Sequence, residues 1–252
     1  MPVSTSRHAS AAARLAELCL PGRVQVGRTA SEPVRRLSSG LEAIDALLRG
    51  GVPQGRISEL LGPLSSGKTS FLLALFTAAT RRGEVVACVD LADALHPESV
   101  AVAGTDLQRL LWVRPCSLTD GFRCTELLLQ AGGFALVVLD LGTCRPRPQR
   151  SHVWPRHVWP RLLRAAEQSH TALLVLAPQR VAGSFAMLSL NMQPRGPLWQ
   201  RGAWPLFAGF HPALVMARNK LGIPEAKSVK LRVRSQSSDF PAFRLSAFSA
   251  QR

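Results

Sequence analysis

The chain has 252 residues, 46% of them hydrophobic and 19% charged, enough apolar material for one substantial α/β core plus extra segments. No run of 18 apolar residues occurs, so no transmembrane helix is expected. The Ala-rich start is broken by Arg14 and Glu17, which argues against a signal peptide. The five cysteines (Cys19, Cys88, Cys116, Cys124, Cys144) form no C-x-x-C pair and no metal-like grouping with His, and read as reduced thiols of a cytosolic protein. The formal net charge of +15 is unevenly placed: residues 1–141 hold 14 Lys+Arg against 13 Asp+Glu, whereas residues 142–252 hold 17 against only Glu167, Glu225 and Asp239. Preference for Arg over Lys can reflect codon usage, but codon usage does not remove acids from one half. The basic half points to a polyanionic partner, most simply nucleic acid.

In chain order, residues 1–36 read as an N-terminal arm. A short helix over 11–20 is ended by Pro21-Gly22, and an extended linker follows over 23–36. A core over 37–234 then alternates strands and helices. It opens with a helix over 40–48, a Gly/Pro turn over 50–55, a strand over 56–61 and a helix from residue 70. Strands over 84–90 and 110–113, a helix over 119–131, and apolar strands over 134–140 and 172–177 complete the rhythm. This pattern predicts an α/β fold with a mostly parallel sheet covered by helices on both faces. Two stretches break it. Residues 144–161, with a tandem H-V-W-P-R, and residues 180–212, rich in Gly, Pro, Trp and Arg, both read as long loops. Short strands over 229–233 and 242–245 suggest a late hairpin, and residues 235–252 read as a C-terminal tail.

Between strand 56–61 and the next helix stands Gly62-Pro63-Leu64-Ser65-Ser66-Gly67-Lys68-Thr69, a G-x-x-x-x-G-K-[ST] phosphate-binding pattern. Gly62 and Gly67 let the backbone turn so that N–H groups face phosphate oxygens, and the helix start adds its dipole. Lys68 would reach the β and γ phosphates and the Thr69 hydroxyl would ligate Mg2+. Gly62, Pro63, Ser65, Ser66, Gly67, Lys68, Thr69 and Ser70 therefore form the candidate ATP-binding set. Asp140 closes an apolar strand, where it would hold the Mg2+ shell or cap the following turn. Thr69 and Asp140 are the candidate metal ligands.

These residues, with Leu37-Ser38-Ser39-Gly40-Leu41, Asp45 and Gly50-Gly51-Val52-Pro53-Gln54-Gly55-Arg56-Ile57, resemble the start of the RecA recombinase core. The resemblance runs over roughly residues 37–233 and implies a RecA-like P-loop fold binding ATP and Mg2+. In that family a D-x-E-x-A-L-x-P segment supplies a glutamate that activates water. Here Asp90-Leu91-Ala92-Asp93-Ala94-Leu95-His96-Pro97 puts Ala92 at that place, and no residue is assigned a catalytic role. The resemblance makes Gln179 a γ-phosphate sensor (otherwise a polar residue closing a strand). It makes Arg218 and Lys220 inter-subunit contacts of a homo-oligomer (otherwise a solvated basic strand end).

The two loops fall where the RecA fold carries DNA-binding loops. They hold Arg145, Arg147, Arg150, Arg156, Arg161, Arg195 and Arg201 among Trp154, Trp159, Trp199 and Trp204. Guanidinium groups pair with phosphates, and indoles stack on bases at roughly 1–3 kcal/mol per base, which suits single-stranded DNA. The same residues suit a protein partner, and some of the tryptophans can simply pack the core. A short, basic RecA relative lacking the glutamate resembles the ImuA family of SulA-like accessory proteins of the bacterial SOS mutasome. That resemblance implies a cytoplasmic, nucleoid-associated protein of DNA repair. Its partners would be ImuB, RecA and an error-prone DNA polymerase, and its role translesion synthesis and SOS mutagenesis. An active DNA-stimulated ATPase and an antagonist of RecA-mediated recombination are the alternatives.

Overall fold

Strand β3 (Ile57–Leu61) is buried at all five residues, because it lies between two parallel neighbours with helices above and below. In a computed structural model, which describes residues 34–142, 157–200, 206–220, 228–235 and 243–247, the strands are as follows. Short β1 (Arg36–Leu37) and β2 (Val52–Pro53) pair antiparallel. The large sheet contains β3, β4 (Val85–Asp90), β5 (Leu110–Val113), β6 (Phe134–Asp140), β7 (Ala172–Ala177), β8 (Ala186–Gln200), β9 (Leu206–Asn219), β10 (Ser228–Ser235) and β11 (Phe243–Ala247). Among the described residues its order is β11-β10-β9-β8-β3-β7-β6-β4-β5. The pairs from β8 to β5 are parallel, and those from β8 to β11 antiparallel. The expected α/β architecture is the one observed. These elements belong to the compact unit 35–252; the expected helix over 11–20 lies outside the described residues.

Alternation along the strands makes two cores. One face carries Leu60, Val86, Cys88, Leu136, Val138 and Leu174, packed under α1 (Glu42–Leu47) and α2 (Lys68–Arg81). The other carries Val89, Val137, Leu139, Leu173 and Val175, packed under α4 (Leu118–Ala131) and α5 (Val158–Ser169). A further short helix, α3 (Pro97–Val102), follows β4; its start was not marked in the sequence by any apolar period. No described helix is long and apolar enough to cross a membrane.

The structure corrects two expectations. Residues 186–200 and 206–212, expected as loop, are strand: β8 and β9 form a long antiparallel hairpin. Its prolines had argued against strands, but they sit where pairing is relaxed. Pro194 and Pro197 lie beyond Asn191, the last β8 residue paired with β3. Pro212 falls where the β9–β10 register skips between Ala213 and Phe210. The end of the 144–161 loop is helical, since α5 begins at Val158, and Trp159 is buried at 2% exposure with its ring edge-on to Phe122 at 5.5 Å. Trp159 is therefore a core residue, not a base-stacking platform. The late hairpin expected over 229–233 and 242–245 is present as β10 and β11, paired antiparallel.

Replacing Trp159 with Ala is expected to cost about 3–5 kcal/mol in a urea unfolding experiment, because the α4–α5 interface loses its largest side chain. A Trp159→Ala protein of unchanged stability would contradict this packing role.

Candidate functional site

Strand β3 ends at Leu61, and the chain turns out of the sheet at Gly62 (φ +144°). A side chain there would press to 2.5 Å from the Met192 carbonyl oxygen and 2.8 Å from Ser66 Oγ, so only glycine fits. At Gly67 (φ +95°) a Cβ would lie 3.0 Å from Met192 and 3.3 Å from Pro212. The phosphate loop is thus backed by the base of the β8–β9 hairpin. Pro63, Leu64 and Ser65 form its exposed crest, and Thr69 is exposed on the first turn of α2.

Three features give this loop unspent polar capacity. Helix α4 is capped by Ser117, which accepts the Asp120 N–H, and α3 by His96, which accepts the Ser99 N–H. Helix α2 starts at Gly67 with no side-chain cap, leaving its first N–H groups to a ligand. Ser66 Oγ is buried without a hydrogen-bond partner. Lys68 Nζ donates to the carbonyls of Gly62 at 2.6 Å and Ala177 at 3.5 Å. Burial lowers the Lys68 pKa, while the charge of Asp140 opposes the shift. A half-buried ammonium held by carbonyls, beside open helix N–H groups, is a fit receptor for phosphate oxygens.

Asp140 lies at the end of β6, directly in register with Asp90 at the end of β4. Burial raises its pKa and the neighbouring Asp90 raises it further, while the Gly142 N–H, donated to Oδ1 at 2.8 Å, and Lys68 pull it down. Asp90 is committed to the backbone, accepting from Ala92 N at 3.2 Å and Leu95 N at 2.9 Å. Asp140 is the carboxylate facing Lys68, and with Thr69 it has the hard-oxygen chemistry that suits Mg2+.

Residue 92 adjoins the turn after this carboxylate. A Cβ placed on Gly142 (φ +53°) would meet the Ala92 methyl at 2.4 Å. Its neighbour Asp93, at φ +50°, points its carboxylate to Arg114 at 3.5 Å.

The remaining expected residues are dispersed. Gln179 is exposed two residues beyond β7, and Ser70 lies on the first turn of α2. Arg218 Nη1 donates to the Gly183 carbonyl at 2.7 Å and Lys220 Nζ to that of Ser184, so both currently tie down the turn before β8 within one chain. Arg161 forms a bidentate pair with Glu126. Arg195 and Trp199 are exposed on the outer part of β8, where Trp199 meets Phe207 edge-on at 5.8 Å. Arg145, Arg147, Arg150, Trp154, Arg156, Arg201 and Trp204 lie outside the described residues. Sequence reading passed over Glu59, a carboxylate buried at 0% exposure in β3; a lone acid inside a strand expected to be buried was the available signal.

Comparison with known proteins agrees with this geometry. The family model for the RecA N-terminal domain matches residues 21–147, half of the chain. Protein RecA of Rubrobacter xylanophilus is 38% identical over 118 residues, covering 46% of this chain and 34% of that protein. Protein RecA of Lactococcus lactis is also 38% identical over 118 residues, covering 30% of its length. The chain thus matches about a third of the length of these curated relatives. A crystal structure of the RadB recombinase superposes with a TM-score of 0.61 at 22% identity, covering 78% of this chain and 95% of that one, a likeness of fold alone. With its phosphate loop, its paired strand-end aspartates and this family match, the chain belongs to the RecA family.

Proposed function

We propose that this chain is a RecA-like accessory protein of the bacterial SOS mutasome, of the ImuA kind, which binds Mg2+·ATP but hydrolyses it weakly or not at all. It supports error-prone translesion synthesis by binding ImuB, RecA or single-stranded DNA. The observation that carries the reading is a phosphate cradle with all its donors in place beside a methyl group at residue 92, where a water-activating acid is needed. Such a chain holds nucleotide as a structural or signalling ligand.

Bound Mg2+·ATP supplies the phosphate charge and the hard cation that complete the site. The roles of this chain's own residues follow from their positions. Lys68 and the N–H groups at the start of α2 would bind phosphate oxygens. Thr69 and Asp140 would hold the cation. Ala92 leaves water unoriented, since a methyl group neither accepts a proton nor directs a lone pair. Arg195 and Trp199 on the hairpin, in a stretch from 168 to 224 without a single acid, offer phosphate pairing and an aromatic face to DNA or to a protein partner.

A second reading, a DNA-stimulated ATPase, draws support from the same phosphate loop and Asp140. Steady-state turnover with and without single-stranded DNA separates the two. Lys68→Ala is expected to weaken binding of a fluorescent ATP analogue by at least about tenfold, because it removes a charged donor from a half-buried site. Ala92→Glu is expected to raise hydrolysis by about a hundredfold or more by restoring a general base. Wild-type turnover already at a recombinase-like rate, and unmoved by Ala92→Glu, would reject the accessory reading.

Asp140 gives a pH-dependent check. Its pKa is raised in the folded chain, so its contribution to stability is full below the ordinary carboxylate range and is lost as pH rises through the folded value. Asp140→Asn should therefore raise the Tm of nucleotide-free protein near neutral pH, with the gain shrinking toward about pH 4. The same substitution should weaken Mg2+-dependent nucleotide binding. A Tm difference that does not change with pH would remove the desolvation argument.

Affinity for single-stranded DNA, read by fluorescence anisotropy, should fall steeply between about 50 and about 200 mM salt. Arg195→Glu with Trp199→Ala should weaken it by about tenfold. Absence of binding at low salt would assign the hairpin to a protein partner.

A further inference from the structure

Among the buried groups outside the phosphate loop, Glu59 makes the most specific set of contacts. It sits three residues before Gly62, at 0% exposure. Its Oε1 accepts the N–H groups of Val181 at 2.9 Å and Ala182 at 2.7 Å, and its Oε2 accepts the Ser189 hydroxyl at 2.7 Å. All three donors are uncharged. Burying a carboxylate without a cation is costly, and three good donors are what make it tolerable. Of the other β3 residues Ser58 is polar and Ile57, Leu60 and Leu61 are apolar, and an uncharged side chain would avoid the cost of a buried carboxylate here. The carboxylate must serve geometry.

The geometry is a clamp across three elements. Val181 and Ala182 lie in the connection from β7 to β8, and Ser189 lies in β8, whereas Glu59 lies in the strand that delivers the phosphate loop. The same connection begins at Ala177, the register partner of Leu61, and the Ala177 carbonyl accepts from Lys68. Residues 178–180 are thus held between the phosphate-loop lysine at one end and Glu59 at the other. Pro178, Gln179 and Arg180 are exposed beside the cradle. When phosphate oxygens engage Lys68, the weaker of its two carbonyl contacts, to Ala177, is the one most readily released. The Glu59 end has no reason to move.

We infer that Glu59 is the positioning residue of the nucleotide site, holding the β7–β8 connection against the phosphate-loop strand and confining any response to nucleotide to residues 178–180. This rests on the nucleotide-binding reading above. Glu59 itself touches neither phosphate nor metal.

The test uses the full chain with three substitutions and one control. Glu59→Leu keeps volume but leaves the Val181 and Ala182 N–H groups without an acceptor. Glu59→Gln keeps an oxygen for both amides and turns its NH2 toward the Ser189 hydroxyl, which can accept. Val175→Ala, at the β7 register partner of Glu59, lowers global stability while leaving the Glu59 carboxylate and its three donors in place. The readouts are hydrogen–deuterium exchange over 178–185, affinity for a fluorescent ATP analogue, and Tm.

Glu59→Leu is expected to speed exchange at 181 and 182 and to weaken nucleotide binding, each by about tenfold or more. Glu59→Gln is expected to restore most of both. Val175→Ala should lower Tm with affinity retained. Should Glu59→Leu not fold, Ser189→Ala carries the test through a loss of about threefold in both readouts. Equal binding by wild type and the clamp variants overturns the inference, as does a loss of affinity in Val175→Ala that matches Glu59→Leu at equal Tm. If wild type itself shows no nucleotide affinity, the nucleotide reading fails first and the positioning role falls with it.

Discussion

The sharp exit of the chain from β3 at Gly62 is the constraint on which the site depends. Five buried residues fix the strand between β7 and β8, so Leu61 and Ala177 end side by side and the phosphate loop begins at a set height above the sheet. Because a Cβ at Gly62 would strike the Met192 carbonyl, the turn is made against β8 and cannot be relaxed by moving outward without losing that contact. The parallel strands then bring the other groups to the same edge: Asp90 and Asp140 as register partners, residue 92 beside Gly142, and Ala177 under Lys68. In an open α/β sheet, loops at the carboxyl ends of the strands are where ligands bind. Here the topology alone collects four separated stretches of the chain there, at 62–68, 90–92, 140–142 and 177.

How far the sequence disclosed this arrangement depended on the kind of signal. The strands at β4, β6 and β7 were legible because strands buried on both faces are continuous apolar runs. The phosphate loop was legible because its glycines and lysine are forced by local backbone geometry. The β8–β9 hairpin was hidden because its prolines, glycines and tryptophans are loop-like in composition. Which prolines avoid the ladder is decided by pairing partners far along the chain, such as Lys230 and Val233, and not by nearby residues. Trp159 was misread for a related reason. An Arg/Trp stretch is locally the same whether it faces solvent or Phe122, and only the docking of α5 on α4 distinguishes the two.

The correction to the hairpin bears on function. The β7–β8 connection over 178–185 is pinned by Glu59 and by the bonds from Arg218 and Lys220 to Gly183 and Ser184, which leaves only 178–180 unpinned beside Lys68. The residues that could still touch a partner are displaced to the outer part of β8 and β9, on a ladder whose base, at Met192 and Pro212, rests on the phosphate loop. On the function proposed above, a partner and nucleotide would meet the same two strands from opposite ends.

This division clarifies what loss of an acid at residue 92 does. In a site that must turn over, every group around the phosphates has to be poised for the transition state, and removing the group that orients water wastes the rest. In a site that only has to hold nucleotide, the groups that matter are those that bind the ground state: Lys68, the uncapped start of α2, Thr69 and Asp140. All of these are present, along with the glycines that shape the loop. The pattern of what is kept and what is missing therefore separates along the line between binding and chemistry.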